Sequence, residues 1–377
     1  MNFDLTDERR MLQDTLRRFL TDRYTPAARN AILDSEDGFS AEIWSALAEL
    51  GVLGALFCEA DSGFGGAGFD ISTVFEELGR AGVVEPLLDT AILGGGLLAD
   101  LGGASQRELL GAVIGGTLHL AFAHGEPNSR YDLSRIETTA SREGGNLVLN
   151  GRKAVVVNAE AAEYLIVSAR ESGGPDDGDG ISLFLIPKET EGLSLRGYPL
   201  ISGGRAAEVV LDNVALPETA RLGPAGGAFP AMQTAVARAN VALAAEALGA
   251  METATGLTRD YLQTRKQFGR PIGTFQALQH RFADLLIELE QARSAVINAA
   301  GHLEESPEIR DLHIAAARNL IGRAGRLVAE EAIQMHGGIG MTREYELAHV
   351  AKRIVMTDHR LGDTDWHLER FIALASA

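Results

Sequence analysis

The period of the apolar pattern changes twice along this chain, and that double change limits its architecture more than any other feature. From the start to about Leu118, apolar residues recur at helical spacing. They are Phe3, Leu5, Met11, Leu12, Leu16, Phe19 and Leu20, then Ile43, Trp44, Leu47 and Leu50, then Ile71, Val74, Phe75 and Leu78. Thr6 and Ser40 read as helix starts and Gly51 as a stop. Two further apolar helical segments cover 87–101 and 106–114. Beyond Leu118 come the short runs LHLAFAH, NLVLNGRKAVVVNA, YLIVSAR, GISLFLIP, LSLRGYP and AEVVLDNVAL, separated by Gly, Asn, Asp and Pro. They read as strands of a small antiparallel domain. From about Ala228 the helical period returns, over Met232–Thr264, Phe275–Gly301, Glu308–His336 and Thr342–Ala375, the last broken near Gly362. Four such tracts predict a bundle, and Ala242, Ala244, Ala245 and Ala247 allow close helix contact in it. The expected fold is α+β multidomain: an N-terminal all-α domain over 1–117, a central antiparallel β-domain over 118–222 and a C-terminal four-helix bundle over 223–377.

Charge and cysteine content narrow the function. With 34 Lys and Arg against 52 Asp and Glu, the net charge of −18 repels phosphate backbones and argues against a nucleic-acid partner. A single Cys excludes an internal disulfide and a cysteine-based zinc or iron–sulfur site, and the nine scattered His suggest no metal cluster. The opening segment lacks the apolar core of a signal peptide, and the most apolar stretches, 91–98 and 241–250, fall short of the roughly 20 residues a spanning helix needs. A cytoplasmic protein without membrane insertion is expected. The glycine-rich CEADSGFGGAGFD lacks the strand-to-helix context and spacing of a phosphate loop and reads as a structural turn. The acidic stretch Arg170–Gly180 reads as a solvated hairpin loop, its carboxylates lacking calcium-loop spacing.

Two motifs carry chemistry. One is RDYLQTRKQFGRPIGTFQALQHRFADLLIELEQAR, from Arg259 to Arg293, and the other is EEAIQMHGGIGMTREYELAHVAKR, from Glu330 to Arg353. Arg offers a rigid fork of donors to a pyrophosphate, and glycine lets backbone approach a ligand. Taken alone, Arg265 would be a surface charge at a helix end, and Gly337-Gly338 a helix end with a turn. Together the motifs resemble the TRxxFG and QxxGGxG signatures of the acyl-CoA dehydrogenase family, and the helix, β, helix order extends the resemblance over the chain.

That resemblance implies an FAD-dependent oxidoreductase of fatty acid metabolism, usually a tetramer, that removes a proton from Cα of an acyl-CoA and passes the Cβ hydride to flavin. Electron-transferring flavoprotein is the implied acceptor. It assigns Arg265, Gln267 and Phe268 to the pyrophosphate and adenosine part of FAD bound by the neighbouring subunit, and Gln334, Gly337, Gly338 and Gly340 to close approach to the same cofactor. The family's base positions fall at Leu361 and near Ala239, neither of them a carboxylate. The acids nearest these positions are Glu246, two helical turns beyond Ala239, and Asp363 and Asp365 beside Leu361; Glu246 and Asp363 are each either a catalytic candidate or a structural carboxylate. The β-domain departs from the family pattern too. It reads AFAHGEPNSRYD, and KAVVVN places Val155 where the family has a Trp and Val157 where it has a Thr, leaving His124, Ser129 or Arg130 to take over.

These departures, with the RLGD and AAEALGAME elements, resemble the small subunit of two-subunit, pimeloyl-CoA-like dehydrogenases. The expectation is α,β-dehydrogenation of an acyl-CoA, a dicarboxylyl-CoA among the candidates, by a homo-oligomer or a heterotetramer with a paralogous subunit. The alternatives are a base-deficient small subunit or scaffold, and a flavin monooxygenase- or oxidase-like member.

Overall fold

A computed structural model describes residues 5–376. Phe3, assigned above to the first helical face, lies outside the described residues. The chain forms two compact units, one from Met1–Ala31, Ala67–Val83 and Asn240–Ala377 and the other from Ile32–Gly66 and Val84–Ala239. Among the described residues, no helix is long and apolar enough to cross a membrane.

Helices α1 (Asp7–Arg23), α2 (Pro26–Leu33), α3 (Ala41–Glu49) and α4 (Gly68–Ala81) come first. The Thr6 hydroxyl accepts from Arg9 N at 3.3 Å and the Ser40 hydroxyl from Ile43 N at 3.3 Å, so both starts are made by side-chain caps. The glycine-rich segment after α3 folds back on the preceding chain: Gly63 N donates to Cys58 O, Gly65 N to Phe57 O and Gly66 N to Ala55 O. Its amides serve the turn itself. A π-helical stretch, Leu88–Gly95, runs into α5 (Gly96–Leu101), and the segment expected as one helix over 106–114 is two, α6 (Ala104–Arg107) and α7 (Leu109–Ile114).

The sheet contains β1 (Leu120–Ala123), β2 (Thr139–Glu143), β3 (Asn146–Val157), β4 (Tyr164–Arg170), β5 (Ile181–Pro187), β6 (Leu193–Pro199), β7 (Arg205–Leu216) and β8 (Arg221–Leu222). Its order is β6-β7-β3-β2-β4-β5-β8, with β1 on β4. The sheet is mostly antiparallel, with two exceptions to the expected pattern. β1 runs parallel to β4, Leu120 opposite Tyr164, and β2 meets β4 in parallel at Thr139 and Arg170. The long connection after β1 gives the chain room to return in the same direction, which a tight hairpin cannot do. Strand β2, TASRE, carries only Ala140 as a buried residue, so it has too little apolar alternation to be read in advance. Inward residues of the sheet, among them Leu149, Val167, Phe184, Ile186, Val209 and Val214, form one apolar core. The loop after β4 winds around the buried Arg170, whose guanidinium donates to the carbonyls of Ser134, Ile136, Ser172, Pro175, Asp177 and Asp179.

The C-terminal helices are α8 (Phe229–Thr264), α9 (Gln276–Gly301), α10 (Pro307–His336), α11 (Glu346–Asp358) and α12 (Thr364–Ala375). A hairpin of β9 (Lys266–Gln267) and β10 (Arg270–Pro271) separates α8 from α9. α4 and α8 cross at backbone contact: a Cβ on Gly79 would collide with the Glu246 carbonyl, and one on Gly249 with that of Glu76. Only glycine permits this approach.

Candidate functional site

The two C-terminal motifs, far apart in sequence, meet through three rings. Tyr261, on the last turn of α8, stacks on His336, the last residue of α10, with centroids 4.4 Å apart and planes at 25°. His336 Nδ1 donates to Ala332 O at 2.8 Å, and Tyr345 Oη lies 3.2 Å from its Nε2. Burial pushes the His336 imidazole below its ordinary range, against backbone hydrogen bonds that favour its charge. The neutral ring therefore keeps its proton on Nδ1 and accepts from the Tyr345 hydroxyl on Nε2. None of these three residues was singled out from the sequence, although each lies inside a motif; an aromatic or His within a helical run carries no signal of its own.

The residues that the resemblance assigns to the cofactor lie in the same two motifs. Arg265, between α8 and β9, Gln267, on β9, and Phe268, in the β9–β10 turn, are all exposed, and Phe268 is 91% exposed with φ +51°. Gln334, Gly337 and Gly338 are exposed, and Gly340 is buried against His336. Gly337 ends α10 at φ +69°, and a Cβ on either Gly337 or Gly338 would meet nothing within 4 Å. The two motifs thus expose a guanidinium, amide side chains, an aromatic ring and accessible backbone. Such groups suit a flat ligand bearing a pyrophosphate, which is the fit that FAD requires.

The carboxylate candidates have partners within the chain. Glu246 is 6% exposed and accepts from Arg353 Nε at 2.7 Å, tying α8 to α11. Asp363 caps α12, its Oδ1 accepting from Trp366 N at 2.9 Å. Leu361, half-buried with φ +57°, sits in the turn between α11 and α12. Below that turn, the fully buried Arg318 of α10 donates from Nη2 to the carbonyls of Thr357, Arg360 and Gly362 at 2.9–3.2 Å. These bonds satisfy carbonyls left over at the end of α11.

In the β-domain, Lys153 donates to Glu126 Oε1 at 2.6 Å and to Ser168 Oγ at 3.0 Å, with His124 Nδ1 3.1 Å from the same hydroxyl. Glu126 also accepts from the amides of Glu137 and Thr138. Burial alone would raise the Glu126 carboxyl, but the charge and hydrogen bond of Lys153, with the hydrogen bonds from Thr138 and Glu137, together hold the group below its usual range. Burial lowers Lys153 to about 8 despite Glu126, and burial followed by the charge of Lys153 pushes His124 far down. His124 is thus a neutral ring facing the Phe122 ring at 5.3 Å. Ser129 closes its own turn through Glu126 N and O, and the exposed Arg130 lies over the Tyr131 ring at 5.4 Å. Val155 is 56% exposed with φ +54°, where β3 slips register between Lys153 and Val156. A β-branched residue is strained there, so the bulge is imposed by its surroundings.

Three family models match in order: the acyl-CoA dehydrogenase N-terminal domain over residues 6–116, its middle domain over 121–214 and its C-terminal domain over 226–373. The probable acyl-CoA dehydrogenase YngJ of Bacillus subtilis (strain 168) is 29% identical over 99% of this chain and 98% of its own. A variant of the Tcur3481-Tcur3483 steroid ACAD is 32% identical, with a TM-score of 0.87 and 98% of each chain covered. Butyryl-CoA dehydrogenase from Megasphaera elsdenii is 26% identical, with a TM-score of 0.91 and 100% of each chain covered.

Proposed function

Because the chain belongs to the acyl-CoA dehydrogenase family, we propose that it takes part in FAD-dependent α,β-dehydrogenation of an acyl-CoA as one subunit of a larger assembly. The supporting observation is a contrast within one unit: the joined motifs around Tyr261, His336 and Tyr345 are complete, whereas the turn at Leu361 offers a hydrocarbon where relatives would offer a base.

FAD, when bound, supplies the hydride acceptor. Arg265 and Gln267 would hold its pyrophosphate and Phe268 would cover its adenosine part, all three reaching a cofactor seated in a neighbouring subunit. Gln334 would present its side-chain amide to the same cofactor, and Gly337, Gly338 and Gly340 would let backbone approach it closely. Glu246 is read here as a structural carboxylate, since its charge is already matched by Arg353. Asp363 is read in the same way, as a helix cap. The proton on Cα must then go to a carboxylate from a paralogous subunit, and the name of the Tcur3481-Tcur3483 steroid ACAD likewise joins two components. The proposal includes electron-transferring flavoprotein as acceptor, a dicarboxylyl or bulky acyl chain as substrate, and a cytoplasmic location.

The test compares the chain purified alone with the chain co-expressed beside a paralogue that has a carboxylate at a base position. The pair is expected to hold FAD and to bleach anaerobically on adding acyl-CoA, while the chain alone does not bleach. Absence of bound flavin in every oligomeric form would sink the reading, and bleaching by the chain alone would move the base back into this chain.

A further inference from the structure

The glycine turn of the second motif has little packing to hold it. Of residues 337–344 only Gly340 is buried, and it lies so close to His336 that a Cβ on it would stand 3.0 Å from that of His336. Backbone bonds inside the segment reach only three residues, Thr342 N donating to Ile339 O at 3.1 Å and Tyr345 N to Thr342 O at 3.3 Å. His349 Nε2 donates to Arg343 O at 2.9 Å, which fixes the limb that leads into α11. The other limb carries three glycines in four positions, Gly337, Gly338 and Gly340, and glycine loses more backbone freedom on ordering than any other residue.

A side-chain bond spans the whole segment. The Tyr345 hydroxyl donates to His336 Nε2 at 3.2 Å, joining residues nine apart and closing the segment at its two ends. The same imidazole touches both tyrosine rings, with centroids 4.4 Å from Tyr261 and 5.3 Å from Tyr345. Its other nitrogen donates to Ala332 O, so the ring cannot turn without losing bonds on both edges. Residue 336 must therefore be flat for Tyr261 and an acceptor for Tyr345. A buried neutral imidazole meets both demands, whereas a phenyl ring would meet only the first. The Tyr261 side is anchored too: Arg265 N donates to Tyr261 O at 2.8 Å and Ile272 N to Arg265 O at 2.8 Å, so the β9–β10 hairpin leaves from the turn that carries Tyr261.

We propose that Tyr261, His336 and Tyr345 are positioning residues, a clamp that closes the loop 336–345 and keeps Gly337–Gly340 ordered before a ligand arrives. The glycine backbone then meets the cofactor without having to be ordered at that moment, and preorganisation of this kind strengthens binding. The cofactor's part in this rests on the dehydrogenase reading, and the closing of the loop does not.

Tyr345→Phe tests the clamp, because it keeps the ring and removes only the hydroxyl. Two rates are measured on the full-length protein, with its partner if it has one, well below the melting midpoint: amide hydrogen exchange at 337–341, and FAD loss followed by flavin fluorescence. Both are expected to rise about fivefold, the change that a hydrogen bond of ordinary net strength carries. Tyr261→Leu should act in the same direction, and the double variant should fall short of the product of the two single effects, because both work through His336. FAD loss equal in wild type and Tyr345→Phe overturns the proposal whether or not the melting midpoint falls, since a purely structural contact would change stability alone. If no assembly of the wild type holds FAD, the dehydrogenase reading fails by itself and hydrogen exchange decides the clamp: faster exchange in Tyr345→Phe upholds the closed loop, and equal exchange overturns it.

Discussion

At the scale of single residues, the buried carboxylate of Glu246 is answered by the Arg353 guanidinium. Glu246 and Arg353 are both largely buried, so removing one partner strands the other. Arg353→Met is expected to lower unfolding stability by about 3 kcal/mol, measured by urea denaturation, whereas Glu246→Gln in the assembled enzyme should leave acyl-CoA-dependent bleaching in place. A loss of bleaching with unchanged stability would make Glu246 a catalytic group. Arg265 is the opposite case, with an exposed side chain. Arg265→Ala should therefore speed FAD loss, followed by flavin fluorescence, with the melting midpoint unchanged. Equal retention would remove Arg265 from the cofactor surface. Neither the Glu246–Arg353 pair nor the Glu126–Lys153 pair could be read from the sequence, because each joins residues from separate elements, and spacing along the chain says nothing about such partners.

Among elements, the junction of α1, α4, α8 and α9 is an ionic clasp beside a cleft of about 720 Å³. Arg80 pairs with Glu76, Glu77 and Glu252, Arg293 bonds Glu252, and Arg17 closes the chain on Glu77. Burial and then the neighbouring Glu252 raise the Glu76 carboxyl from 4.5 to about 7. The sign follows from linkage: between those values the folded state keeps a proton that the unfolded chain releases. Stability from the neutral Glu76 is whole below pH 4.5 and is lost as pH rises through 7. Glu76→Gln should flatten the fall in melting midpoint between pH 5 and pH 8, and an unchanged slope would exclude Glu76 as its source. Helix existence and order were legible here, since the apolar period and the caps Thr6 and Ser40 are local features. The crossing at Gly79 and Gly249 was not, because two isolated glycines in helical runs look like weak points until their backbones are seen to touch.

For the whole chain, the order of helices, sheet and bundle was legible from two changes of period, and the family from two motifs. The parallel pairing of β1 with β4 was hidden, because strand direction depends on a connection whose length does not dictate its path. The two C-terminal motifs were legible in the sequence, while the contact of Tyr261, His336 and Tyr345 that joins them was not. The loop wound on Arg170 has a further consequence, for proteolysis. Its sequence, rich in Gly and Asp, looks like an easy site of cleavage, yet six of the carbonyls in and beside it are held by a single guanidinium. A protease must draw several residues into extended form, which here means pulling that backbone off a buried cation. Limited digestion should spare residues 171–180 until the β-domain opens globally, and in Arg170→Met the first cut should move into this loop.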